Sequence, residues 1–141
     1  MARTSVNIQS GAYVADAAPI SDQFFGGNIL FDRDKVGEAG TYDEKAAALN
    51  LGLIRYPGGN VTELYFDIND PEKTVEPDGH SGALLPLSEF LGYINAEDIK
   101  GALVLPTVDF MDALATGEMS KAEVRADMRA FLTRLKAGDY G

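Results

Sequence analysis

One stretch decides the fold of this chain, namely Leu53-Ile54-Arg55-Tyr56-Pro57-Gly58-Gly59-Asn60. Its first four residues form a short and mostly apolar run, which is typical of a strand buried in a sheet. Pro57 and the two glycines stop this run abruptly, because proline removes a backbone donor and glycine permits sharp turns. The stretch therefore predicts a buried strand near 53–56 that enters a tight loop.

Two further apolar runs, near residues 25–31 and 102–106, also predict strands. Apolar side chains at helical spacing predict that a helix follows each of the three strands, near residues 42–51, 87–97 and 120–136. Parallel strands need a covering connection between them, and a helix is the usual one. The sequence thus predicts an α/β class with three parallel strands in the order 1-2-3.

Local signals mark the ends of two of these helices. Thr41 and Glu44 stand at capping-box spacing, and so do Ser120 and Glu123. Gly52 is placed to end the first helix. Residues 60–85 are polar and long for a connection, so they predict a functional loop.

The architecture fits the start of a larger barrel. A closed barrel of eight strand-helix units takes about 250 residues, and this chain has 141. We therefore expect residues 21–141 to form the first three units of a partial TIM (β/α)8 barrel, after a small β extension at residues 1–20. Three strands without closure would leave two open edges and uncovered inner faces at Ile29, Ile54 and Val104, which predicts poor stability or self-association.

Composition limits the classes of partner. The formal net charge is −10, which repels nucleic acid and anionic membranes but is compatible with a neutral carbohydrate. The chain has no cysteine and a single histidine, His80, so a thiolate or histidine metal site is not expected. No apolar run approaches the roughly 20 residues that span a bilayer. We expect no metal, no cofactor, no nucleic acid and no membrane, and we read His80 as a loop residue.

Ligands of α/β folds meet the loops that follow the carboxyl ends of the strands. The polar residues in those positions are Asn28, Arg55, Asn60, Tyr65 and Asp109. Their amide, guanidinium, hydroxyl and carboxylate groups can form the directional hydrogen bonds that sugar hydroxyls require. They are the predicted substrate-binding residues.

Simpler interpretations of the same residues stay open. Pro57-Gly58-Gly59 could expose backbone N–H groups to a ligand, or it could be only a strand-stopping turn. Arg55 could hold the framework of the site, or it could be a structural ion-pair partner inside the barrel. In either case we expect Arg55 to point into the barrel interior and not toward bulk water. Asp67-Ile68-Asn69-Asp70 is a poor calcium loop, because Pro71 and Glu72 replace a ligand and the glycine that such a loop needs.

The stretch 53–60, followed by Tyr65, resembles the second-strand motif of the clan A retaining barrel glycosidases that include the α-L-arabinofuranosidases. Phe25-Gly26-Gly27-Asn28 is similar to the first strand of the same barrels. The resemblance implies that Asn60 binds the sugar beside the cleaved bond and that Arg55 supports the site.

Two features depart from that family. A substrate-binding glutamate is usual in the first-strand loop, where this chain has Asn28-Ile29-Leu30-Phe31. The resemblance also puts the acid/base glutamate after the fourth strand and the nucleophile after the seventh, beyond the three predicted units. Glu63, Asp67 and Asp109 make no convincing substitute pair, so we expect no catalytic residue and no activity in this chain alone.

Residues 26–34 and 56–63 also resemble N-terminal domains of large secreted bacterial proteins with hemolysin-type calcium-binding repeats, although the repeat itself does not occur here. Two functions follow as hypotheses. The chain contributes one wall of the sugar cleft of a glycoside hydrolase-like barrel, or it is a non-catalytic barrel module of a secreted calcium-repeat protein. Either implies an extracellular location reached without an N-terminal signal peptide. A self-contained small α/β protein is a third reading.

Overall fold

A computed structural model describes residues 25–29, 41–76, 78–79 and 82–141. The β extension predicted for residues 1–20, the end of the first predicted strand at residues 30–31, and His80 lie outside these ranges. The described elements are β1 (Gly26–Asn28), α1 (Tyr42–Ala48), β2 (Leu53–Tyr56), α2 (Asn60–Tyr65), α3 (Leu87–Ala96), β3 (Lys100–Leu103), α4 (Val108–Thr116) and α5 (Lys121–Ala137).

The three described strands form one parallel sheet in the order β1-β2-β3. Ile54 at the centre of β2 is level with Gly27 of β1 and with Gly101 of β3. The ladder continues beyond the strands, since the Val104 N–H donates to the Tyr56 carbonyl at 2.8 Å. The predicted parallel order is therefore confirmed, and the chain is an α/β protein.

Helices cover one face of this sheet. A Cβ added to Gly101 would lie 2.5 Å from Ile94 Cδ1 and 3.4 Å from Phe90 Cζ, so α3 packs directly on β3. Ile54 points to the same side and is fully buried, whereas its neighbour Arg55 is exposed. The expectation that Ile54 faces an uncovered barrel interior is wrong, because successive strand residues point to opposite faces and Arg55 occupies the open one.

A series of aromatic rings joins the sheet to the last helix. Tyr56 of β2 stacks on Phe90 of α3 with ring centroids 4.8 Å apart, and it meets Phe66 edge to face at 5.7 Å. Phe66 contacts Phe131 of α5, and Phe131 in turn contacts Tyr140. All five rings are buried, and each large apolar side chain contributes about 1.5–3 kcal/mol when it leaves water. The rings therefore hold α5 against the core.

Several predicted boundaries hold closely. β2 has the predicted bounds, α3 ends one residue earlier than predicted, and α5 begins and ends one residue later than predicted. Ser120 Oγ accepts a hydrogen bond from the Glu123 N–H, while the Glu123 carboxylate accepts one from the Ser120 N–H at 2.8 Å. This capping box is confirmed.

The predicted start of α1 at residue 42 is confirmed, whereas its predicted side-chain cap and its predicted end are wrong. Thr41 makes no side-chain cap, and the helix ends at Ala48 instead of residue 51. Asn50 takes the left-handed backbone conformation, with φ of 50°, two residues before Gly52. Asparagine tolerates this conformation better than most side chains do, so a glycine was not needed there.

Two helices were not predicted. The segment expected to be a long loop, residues 60–85, begins with α2, and α4 follows β3 after a four-residue connection. β3 itself spans Lys100–Leu103 instead of 102–106. Within the described ranges, no helix combines the length and the apolar character that crossing a membrane requires.

Candidate functional site

The polar residues predicted from the sequence follow the carboxyl ends of the strands. Asn28 is the last residue of β1, Asn60 is the first residue of α2 after β2, and Asp109 is the second residue of α4 after β3. Because the three strands are parallel neighbours, these ends lie along the same edge of the sheet. The candidate site is this edge.

Arg55 and Asn28 join the first two strands at that edge. Arg55 Nε donates a hydrogen bond to Asn28 Oδ1 at 2.8 Å, and Asn28 Nδ2 lies 3.5 Å from the Pro57 carbonyl oxygen. A Cβ added to Gly58 would lie 2.5 Å from Arg55 Nε and 2.8 Å from Cζ, so the guanidinium lies against the glycine. Contact with an amide and with a glycine backbone orients the guanidinium, and within the described ranges no ion pair of Arg55 occurs.

Arg55 is nevertheless open to solvent. It lies on the sheet face opposite to the helices, which is the side predicted for it, but it is exposed. The expectation that it avoids bulk water is therefore wrong for this chain. Its fixed and accessible guanidinium can donate further hydrogen bonds to a ligand on the open face.

The Pro57-Gly58-Gly59 turn is held by a hydrogen bond within the protein. The peptide bond between Tyr56 and Pro57 is cis, and both glycines have positive φ, 82° and 63°. The Gly58 N–H is buried and donates to Thr62 Oγ1 at 2.7 Å. Thr62 is fully buried, and sequence reasoning did not single it out, although a threonine four residues after a turn glycine is a local signal. The Gly58 N–H is thus not available to a ligand, which favours the strand-stopping turn over the ligand-loop interpretation at Gly58.

Glu63 connects the loops that follow β2 and β3. Its Oε2 accepts hydrogen bonds from the Thr107 N–H at 2.7 Å and from the Val108 N–H at 2.8 Å, and its Oε1 lies 3.2 Å from Thr107 Oγ1. These N–H groups begin α4, where a helix has unpaired donors. The backbone hydrogen bonds from Val108 and Thr107 lower the pKa of Glu63 below its ordinary value.

A cleft of about 350 Å³ lies beside this connection. Tyr65 and Asp109, both predicted from the sequence, line it, while Asn28, Arg55 and Asn60 do not. The predicted residues therefore divide into an Arg55–Asn28 pair on the sheet, the cleft residues, and Asn60 at the exposed start of α2. The sequence did not single out Lys73 and Phe110, which also line the cleft, whereas Asp67 and Asn69 were weighed as calcium ligands.

The cleft combines aromatic and polar groups. Tyr65 and Phe110 offer ring surfaces, and Asp67, Asn69 and Asp109 offer hydrogen-bonding groups. The Asp67 carboxylate accepts a hydrogen bond from the Asn69 N–H at 2.8 Å, which orders the rim of the cleft. Such a surface suits a small ligand with both apolar faces and hydroxyl groups.

Acid–base and metal chemistry have little support among these groups. A general acid needs a carboxyl with a raised pKa, whereas the hydrogen bonds from Val108 and Thr107 lower the pKa of Glu63. No group of three metal-binding side chains occurs in the part of the chain that the structure describes.

Comparisons of the chain with protein-family models, with curated proteins and with solved structures find no match. Relatives therefore supply neither a fold nor an activity for transfer. The functional assignment depends on the edge of the sheet where Arg55, Glu63, Tyr65 and Asp109 lie.

Proposed function

We propose that the chain forms one wall of a carbohydrate-binding cleft in a (β/α)8 barrel of the glycoside hydrolase type, and that it contributes no catalytic carboxylate pair. The observation that carries the proposal is the cleft at the carboxyl ends of β2 and β3, where Tyr65 and Asp109 lie together. In (β/α)8 barrels, the loops at this end of the strands form the ligand site.

The lining of the cleft suits a neutral sugar. Sugar rings present apolar C–H faces and a rim of hydroxyl groups, so a site for them needs ring surfaces and directional acceptors. Tyr65 and Phe110 supply the former, and Asp67, Asn69 and Asp109 supply the latter. The formal net charge of −10 also disfavours phosphorylated or nucleic acid ligands.

The open face of the sheet supports the barrel part of the proposal. Arg55 and Lys100 on that face are exposed, whereas Ile54 and Tyr56 on the helical face are buried. A barrel places inward-pointing strand residues next to those of other strands. Arg55 would then lie in the interior of the barrel near the ligand end.

Binding without turnover follows from the carboxylates. Retaining glycosidases need two carboxyl groups about 5–5.5 Å apart, one of which has a raised pKa. Glu63 has a lowered pKa because the Thr107 and Val108 N–H groups hold its carboxylate. The chain alone should therefore bind a sugar and leave the glycosidic bond intact.

The test is a titration of the 141-residue chain with 4-nitrophenyl α-L-arabinofuranoside, β-xyloside and β-glucoside, followed by ¹H–¹⁵N NMR. Asp109→Asn should weaken binding by about two- to tenfold, as expected for one hydrogen bond of about 0.5–1.5 kcal/mol. Asp112→Asn is the matched control, because Asp112 lies on the same helix and does not line the cleft.

Two results would contradict the proposal. The first is that none of the three glycosides shifts the amide resonances of the cleft residues. The second is that Asp109→Asn and Asp112→Asn weaken binding equally. Turnover of a glycoside that a single substitution of Glu63, Asp67 or Asp109 abolishes would instead show a catalytic site in this chain.

A further inference from the structure

The two walls of the cleft belong to different parts of the chain. One wall is α2 and the segment after it, which includes Tyr65 and Lys73, and the other is the start of α4 with Asp109. The backbone pairing between β2 and β3 ends near Val104, before either wall begins. Contacts other than this ladder therefore link the two walls.

Glu63 makes such a contact. Both of its carboxylate oxygens are used, one by the Thr107 and Val108 N–H groups and the other by Thr107 Oγ1. Thr107 makes no side-chain cap for its own helix. Glu63, 44 positions earlier in the chain than Thr107, therefore caps α4. Asp109 is the next residue after the two whose N–H groups Glu63 binds.

We propose that Glu63 is a positioning residue whose ionised carboxylate holds the first turn of α4, with Asp109, against the α2 wall, so that protonation of Glu63 releases this turn and opens the cleft. The effect on sugar affinity rests on the function proposed above. The connection between the walls does not, since it depends only on the hydrogen bonds of Glu63.

The sign of the pH dependence follows from the hydrogen bonds. The pKa of Glu63 lies below its ordinary value of 4.5 because the Val108 and Thr107 N–H groups stabilise the charged form. The connection is therefore complete above pH 4.5 and is lost as the pH falls through the lowered pKa. Variants must separate Glu63 from the other titratable groups of the cleft, which are Tyr65, Asp67, Lys73 and Asp109.

The first measurement follows the Thr107 and Val108 amide protons by NMR from about pH 7 to about pH 3, the range in which carboxyl groups titrate. Both should move with one common midpoint below 4.5, the ordinary pKa of Glu63. Glu63→Gln should abolish that titration, since glutamine keeps hydrogen-bonding groups and loses the charge. Glu123→Gln is the matched control, because Glu123 caps only its own helix and its substitution should leave both amides titrating.

The second measurement reports the separation of the walls. The chain has no cysteine, so spin labels at Asn69→Cys and Met111→Cys, both exposed positions, give an unambiguous pair. The distance distribution should be narrow at about pH 6 and broad after protonation of Glu63. In Glu63→Ala and in Glu63→Gln, which both lack the negative charge, the distance distribution should be broad at both pH values.

These results decide the proposal without a sugar. Thr107 and Val108 amides that titrate equally in the Glu63→Gln chain, or a distance distribution that Glu63→Ala leaves narrow, would overturn it. With a bound glycoside, Glu63→Ala should weaken affinity by about three- to tenfold, as expected for lost charge-assisted hydrogen bonds. If the amide titrations and the distance distributions behave as expected but no glycoside binds, the role of Glu63 is supported and only the carbohydrate function is rejected.

Discussion

Gly58→Ala should destabilise the chain through Arg55. A non-glycine residue at the φ of 82° seen for Gly58 costs about 1–2 kcal/mol. The added Cβ would also lie 2.5 Å from Arg55 Nε, which forces the flexible guanidinium away and breaks its 2.8 Å hydrogen bond to Asn28. That bond is exposed, so we assign it the ordinary net value of about 0.5–1.5 kcal/mol. The expected total is about 1.5–3.5 kcal/mol.

A double-mutant cycle separates the two effects. In an Arg55→Ala background the guanidinium is absent, so Gly58→Ala should cost only the backbone share of about 1–2 kcal/mol. Urea unfolding of the four chains gives the free energies of unfolding, provided that their m-values agree. The Asn28 side-chain amide resonances, followed by NMR, report the loss of its contact with Arg55.

The cost of Gly58→Ala should be larger in the chain with Arg55 than in the Arg55→Ala chain. The expected coupling energy is about 0.5–1.5 kcal/mol, above the error of about 0.3–0.5 kcal/mol for independent sites. Equal costs of Gly58→Ala in both backgrounds, together with an unchanged Asn28 amide signal, would refute the packing of the guanidinium on Gly58. Gly59→Ala is a useful comparison, because Gly59 also has positive φ but a Cβ there meets nothing within 4 Å, so its cost should not depend on Arg55.

Three further outcomes are expected. Gly101→Ala should destabilise the chain by about 1–3 kcal/mol through overpacking, because its Cβ would lie 2.5 Å from Ile94 Cδ1. In thermal unfolding, Ile94→Val should relieve part of this cost, and additive effects of the two substitutions would contradict the packing. Ser120→Ala should cost about 0.5–2 kcal/mol by removing the side-chain acceptor of the capping box, and an unchanged melting temperature would argue against that cap. The chain should self-associate through its sheet edges, and a monomer mass by analytical ultracentrifugation at all concentrations would contradict this.

The sequence predicted the elements whose signals are local. β2 has the expected bounds because Pro57 ends its ladder, and α5 begins as expected because Ser120 and Glu123 lie within the same turn. α2 was missed because Gly59 precedes it without a side-chain cap, and it is only six residues long. α4 was missed for a clearer reason, since Glu63 supplies its cap from 44 residues away, and no window of local sequence contains that pair.

The site was predictable to a similar extent. The rule that ligands lie beyond the carboxyl ends of parallel strands selected residues that the structure places along one edge of the sheet. It could not show that Tyr65 and Asp109 line a cleft. Nor could it show that Arg55 packs with Asn28, because that contact depends on the register that sets Asn28 level with Arg55. The same rule gave no reason to prefer Glu63 over the other acidic residues.

Two side-chain contacts now explain how that edge stays ordered beyond the backbone ladder. Asn28 and Arg55 join the ends of β1 and β2, and Glu63 joins the segment after β2 to the start of α4 after β3. Both contacts involve residues that follow or end β2, so the central strand anchors each neighbouring loop. A ligand at this edge would meet loops that are already positioned, which reduces the conformational entropy lost on binding. Loss of either contact should therefore weaken affinity even for a ligand that touches neither Arg55 nor Glu63.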